Sequence, residues 1–233
     1  MTLRALLGRR RTLLMILLAA MPVLLGLIIR ANRDSLRTEV LGPTIDSLVV
    51  AIVLPLVALV FGTAALGMEL DDGTGVHLLT KPISRWLIIV AKTIVAGTLT
   101  AALIVPSTVI SGILMGGTGS TALGITFAFA LASLIGAYVY TAIFLVLSVI
   151  TTRGLIIGLA YALIWEAVVA GLLPGSQVFS VHQYLQGIAQ ALAPEARDSL
   201  VGAGGFLYAA VALALALAIG TVRLARYEVR GAE

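Results

Sequence analysis

Long continuous apolar runs constrain this chain more than any motif in it. They recur six times, at roughly residues 13–29, 45–67, 86–115, 122–150, 154–173 and 204–223. About 20 apolar residues in a helix cross the ~30 Å hydrocarbon core of a bilayer. The chain has 233 residues, of which 60% are hydrophobic and 11% charged, against about 25% charged in a soluble domain. A soluble fold of this size has no interior large enough for that much apolar surface. Barrel strands alternate polar and apolar residues over about ten positions, and these runs do not. The expected class is therefore all-α: one polytopic membrane domain over residues 1–233, with six transmembrane helices in a lipid bilayer.

The basic residues orient it. With the N-terminus inside, Arg4, Arg9, Arg10, Arg11, Lys81, Arg85, Lys92, Arg153, Arg223, Arg226 and Arg230 lie on the cytoplasmic side. Only Arg30, Arg33, Arg37 and Arg197 lie outside. The positive-inside rule then places both termini in the cytoplasm. The net charge of +4 sits at membrane borders and implies no nucleic-acid partner. The first run is too long for a signal-peptide core and has no small-residue cleavage site, so it is expected to be a retained span. Before it, Leu3, Leu6 and Leu7 share one helical face. Thr2 to Arg11 reads either as a helix lying in the interface or as a disordered basic tail.

Prolines 55 and 106 are expected to kink spans two and three. Gly116 to Ser120 reads as a tight turn and Thr151 to Gly154 as another. Between spans five and six, Val178, Val181, Tyr184, Leu185, Ile188 and Leu192 alternate with polar residues. This predicts short extracellular helices that re-enter the outer leaflet, stopped by Pro194.

Catalysis finds little support. There is no cysteine, hence no disulfide, thiolate metal site or cysteine nucleophile. His77 and His182 fall on opposite sides of the membrane and share no metal site. No P-loop, zinc-protease motif or nucleophile elbow is present. The chain itself is expected to be no enzyme and to hold no cofactor. His182 reads as a surface or hydrogen-bonded histidine.

Two stretches carry the functional signal. The first is Met68 to Lys92, MELDDGTGVHLLTKPISRWLIIVAK. Glu69, Asp71 and Asp72 end span two. Gly73 and Thr74 break and cap, Leu78, Leu79 and Ile83 make a short apolar face, and Lys81 and Arg85 flank it. Pro82 limits its length, and Trp86 sits where interfacial aromatics belong. Residue chemistry alone permits a docking helix for a soluble partner or a solvated loop. The second is Glu166, deep in span five. A carboxylate there costs at least ~2.5 kcal/mol unless it faces protein or water. It reads either as part of a translocation path or as a structural hydrogen-bonding group, with Tyr138 and Tyr140 as candidate partners. Ser107, Thr108, Ser111 and Gly112 read as close helix packing.

The first stretch resembles the loop after the second span in ABC-2 type transporter permeases. The matching residues are Gly73-Thr74, Leu78-Leu79, Pro82-Ile83-Ser84-Arg85 and Lys92, preceded by an acidic residue. The order of parts along the whole chain is similar too. The resemblance implies that Glu69, Asp71, Asp72, Gly73, Thr74, Leu78, Leu79, Lys81, Pro82, Ser84 and Arg85 form an ATPase-coupling segment. It also implies two separate nucleotide-binding ATPase subunits holding ATP and Mg, and a second permease copy or paralogue. A prokaryotic plasma membrane and export are the expected setting and direction. The alternative is a non-transporting scaffold, assembly or immunity protein with a regulatory cytoplasmic loop.

Overall fold

The computed structural model describes residues 9–31, 38–71, 84–151, 153–169, 179–196, 199 and 201–225. Its elements in chain order are α1 (Arg9–Ala31), α2 (Thr38–Ile45), a π-helical stretch (Asp46–Val53), α3 (Leu54–Asp71), α4 (Arg85–Gly116) and α5 (Ser120–Ile150). Then come α6 (Gly154–Ala160), a second π-helical stretch (Tyr161–Val169), α7 (Val181–Leu192), a single 3-10 turn (Gly202–Gly204) and α8 (Gly205–Ala225). No strand occurs among the described residues. Helices satisfy their backbone polar groups internally, which lipid demands.

Five helical segments are long and apolar enough to cross a membrane: Thr12–Ala31, Val40–Leu66, Arg85–Gly116, Ser120–Ile150 and Gly202–Ala225. The expected fifth of six spans is described as a shorter apolar helix, Gly154–Glu166. The chain is a multi-pass membrane protein.

α5 is the hub. It packs against α3, α4, α6, α7 and α8, and its Phe129, Ala132, Tyr140, Phe144 and Leu145 are fully buried. Lipid tails are as apolar as leucine, so close packing and interhelical hydrogen bonds hold such a bundle rather than water exclusion. Thr98 Oγ1 and Tyr138 Oη pair at 3.0 Å between α4 and α5. Ser107 donates to the Ala19 carbonyl, tying α4 to α1. The packing role expected of Ser107, Thr108 and Ser111 fits their burial.

The borders of α4 and α5 fall within two residues of expectation, and the turn between them uses Gly117 at φ 75°. That backbone conformation belongs to glycine. Other expectations need correction. Span two was placed at 45–67, but the helix starts at Thr38 and carries Pro43 inside it. Leu41 and Ile45 are buried in the core, and that packing outweighs the proline signal. Pro106 lies inside α4, which is continuous from Arg85 to Gly116. Pro55 is the second residue after the π-helical stretch, whose end is marked by the Leu54 N–H reaching back to the Val49 carbonyl. The interfacial segment Thr2 to Arg11 lies outside the described residues up to position 8, and Arg9 to Arg11 continue straight into α1.

Candidate functional site

The coupling segment read from the sequence lies largely outside the described residues. Asp72, Gly73, Thr74, His77, Leu78, Leu79, Lys81 and Pro82 fall there. Glu69 and Asp71 belong to the last turn of α3. Ser84 is the exposed N-cap position of α4 and Arg85 its first residue. The segment thus bridges two helices that both pack on α5.

Glu166 is described in full. It lies in the second π-helical stretch and is 4% exposed, so it faces protein as its cost in lipid requires. Its carboxyl group gathers four donors. Tyr161 Oη donates to Oε1 at 2.9 Å, and Ser180 Oγ donates to Oε2. The Val181 N–H donates to Oε1 at 3.0 Å and the His182 N–H to Oε2 at 3.3 Å. The last two are the first backbone N–H groups of α7, which no intrahelical carbonyl can satisfy. Ser180 completes the cap by accepting from the Gln183 N–H at 3.3 Å. A carboxyl group at the positive end of a helix dipole is favourably placed. Glu166 is therefore a helix cap supplied from another element.

Of the two expected partners, Tyr138 is engaged with Thr98 instead. Tyr140 is fully buried, stacks on Phe144 with ring centroids 6.0 Å apart, and lies within electrostatic reach of Glu166. The true hydroxyl partners are Tyr161, five residues back on the same element, and Ser180.

A second acid joins this cluster. Asp46 opens the first π-helical stretch and is 2% exposed. His182 Nε2 lies 2.9 Å from its Oδ1, and Gln186 Nε2 donates to its Oδ2 at 2.7 Å. His182 is thus hydrogen-bonded, one of the two readings left open above. Two polar residues of α7 are turned away from water. His182 and Gln186, one turn apart, point into protein and meet Asp46. The apolar residues Val181, Tyr184, Leu185 and Ile188 are buried on other sides of the same helix, while Leu192 is exposed. Leu185 fills the space left by Gly136 at the middle of α5. The helix is therefore embedded in the bundle rather than resting on it.

Both acids sit on π-helical backbone, a distortion found often at functional sites. Among the described residues no three His, Cys, Asp or Glu side chains come together to hold a metal ion. Asp46 joins two helices through two side chains, which a double-mutant cycle measures. We expect Asp46→Ala and His182→Ala each to destabilise the folded chain by about 1–3 kcal/mol. Their combination should fall short of additivity by at least ~0.5 kcal/mol in detergent unfolding titrations. Simple additivity would mean that the pair contributes nothing.

A family model described as ABC-2 family transporter protein matches residues 7–171 of the chain. The match includes Asp46, the segment after α3 and Glu166, and it stops before α7. No curated protein matches the chain.

Proposed function

The chain belongs to the ABC-2 transporter family, and from that membership we propose that it is the membrane subunit of an ATP-driven exporter. The match over residues 7–171 carries the reading. It is supported by the five apolar segments long enough to span a membrane. The permease works with ABC ATPase subunits that bind ATP and Mg. Two ATPase subunits and two permeases, either two copies of this chain or this chain with a paralogue, make the transporter.

In this reading the short apolar helix Gly154–Glu166 and the residues after it form a sixth crossing. Both termini then lie in the cytoplasm, a placement the arginine distribution supports, and the setting is the plasma membrane of a prokaryote. Residues 69–85 face the ATPases, and the Asp46–Glu166 cluster faces the extracellular half. Closure of the ATPases on ATP pushes on residues 71–85 and changes the packing of α3 and α4 against α5. Glu166 is assigned to fixing α7 in the outer half rather than to contacting cargo.

The test is affinity purification of the full chain in mild detergent, followed by identification of bound subunits. We expect a protein bearing a nucleotide-binding P-loop to co-purify, and its ATPase activity to change on reconstitution with the chain. Purification without any such ATPase favours the scaffold, assembly or immunity reading.

A further inference from the structure

The helix α7 is held on two sides by different chemistry. Towards α8 and α5 the contact is backbone to backbone and apolar. A Cβ placed on Gly205 would stand 2.3 Å from the Tyr184 carbonyl oxygen, and one on Gly187 would stand 2.4 Å from that of Gly202. Tyr184 stacks on Tyr208 with centroids 5.6 Å apart. Towards the start of span two the contact is polar, through the Asp46 bonds to His182 and Gln186. One turn further out, Gly42 lies flush on the Ala196 backbone, where a Cβ would stand 1.8 Å from the carbonyl oxygen. What distinguishes this side is its hydrogen bonds, which can be exchanged for bonds to water, whereas the stacked rings on the α8 side have nothing to exchange.

The arm on the other side of this seam has its own joint. Residues 38–53 are set off from α3 by the π-helical register, by the five-residue bond from Leu54 to Val49, and by Pro55, which has no N–H to donate. Proline and π-bulges are the recurrent causes of bending in helices.

We infer that residues 38–53 form a hinged outer arm of span two, fastened to α7 by an Asp46–His182–Gln186 clasp, and that this polar seam is where the bundle opens. Its use as an extracellular gate rests on the transporter reading. The clasp itself is a property of the isolated chain. Glu166 works on the other side of α7, holding its first turn while the clasp releases. The two acids thus have separate tasks: Glu166 keeps α7 in place, and Asp46 joins it reversibly to the arm.

Hydrogen–deuterium exchange on the full chain in detergent or nanodiscs tests this without any ATPase. Asp46→Ala should raise amide exchange over 38–53 by about tenfold or more, and by clearly more than in α7 and α8. Gln186→Ala removes one of the two bonds, perturbs the fold less, and should give a smaller rise in the same segment. Asp46→Asn keeps an acceptor and should restore most of the protection. A rise shared equally by 38–53 and α7, or no rise in either variant, overturns the clasp. Absence of a co-purifying ATPase would overturn the transporter reading and leave this exchange result standing.

Discussion

Glu166→Ala is expected to destabilise the folded chain by about 3–5 kcal/mol and to release the first turn of α7. The alanine leaves two backbone N–H groups and two hydroxyls without the acceptor they share. Each buried group so orphaned costs about 1–3 kcal/mol, and partial hydration keeps the sum below the simple total. Glu166→Gln is the sharper variant. Its amide nitrogen can donate to Tyr161 or Ser180, whose hydroxyls can turn to accept. It cannot accept from a backbone N–H. Whichever way the amide is turned, either Val181 or His182 loses its acceptor, so the loss should be about 1–3 kcal/mol. Unfolding titrations in detergent and exchange at residues 181–183 read both effects. A group that only touches cargo would instead change transport and leave unfolding midpoints unmoved. Wild-type stability in both variants would remove the capping role.

This site was half visible in the sequence. An acid deep in an apolar run must face protein, and Glu166 does. Three of its four partners were harder to read because they lie 14 and more residues on. One signal was present: Ser180 and Gln183 stand three apart ahead of an apolar helix, the spacing of a capping box. That pattern marks the start of α7 and a polar group waiting there. Asp46 escaped notice because it sits one residue inside the expected border of span two, where a charge passes for the end of the membrane. His182 was read as a surface or hydrogen-bonded histidine, and Gln186 carried no signal of its own. Periodicity reports which residues share a face, not whether that face meets water or a buried carboxylate.

Helix borders were legible where apolar runs end in glycine, as between α4 and α5. They were less so at Pro43, where packing of Leu41 and Ile45 overrides a local breaker. The π-helical stretches left no pattern to read. They shift which residues share a face without changing composition.

Leu78→Asp combined with Leu79→Asp is expected to abolish association with the ATPase while leaving the bundle folded. Leu78 and Leu79 lie outside the described residues, in the stretch of sequence between α3 and α4. A segment that joins two packed helices in sequence can transmit a push only if its contact with the pusher is specific. The two adjacent leucines are its largest apolar pair, and anchors of this kind carry most of an interface's affinity. Burying two carboxylates in their place should weaken association by a hundredfold or more, or about 3 kcal/mol. Charge reversal at Lys81 should cost less, because rim charges act mainly on the rate of encounter. The acids at the end of α3 point the same way. Glu69 and Asp71 occupy the last turn of that helix, where the dipole disfavours negative charge by a few tenths of a kcal/mol or more. A basic surface on the docked ATPase would offset that. Co-purification and nucleotide-driven transport, measured beside an unchanged unfolding midpoint, decide the matter. If the double variant still holds its ATPase and transports, residues 71–85 are not the coupling element, and the push must enter the bundle elsewhere.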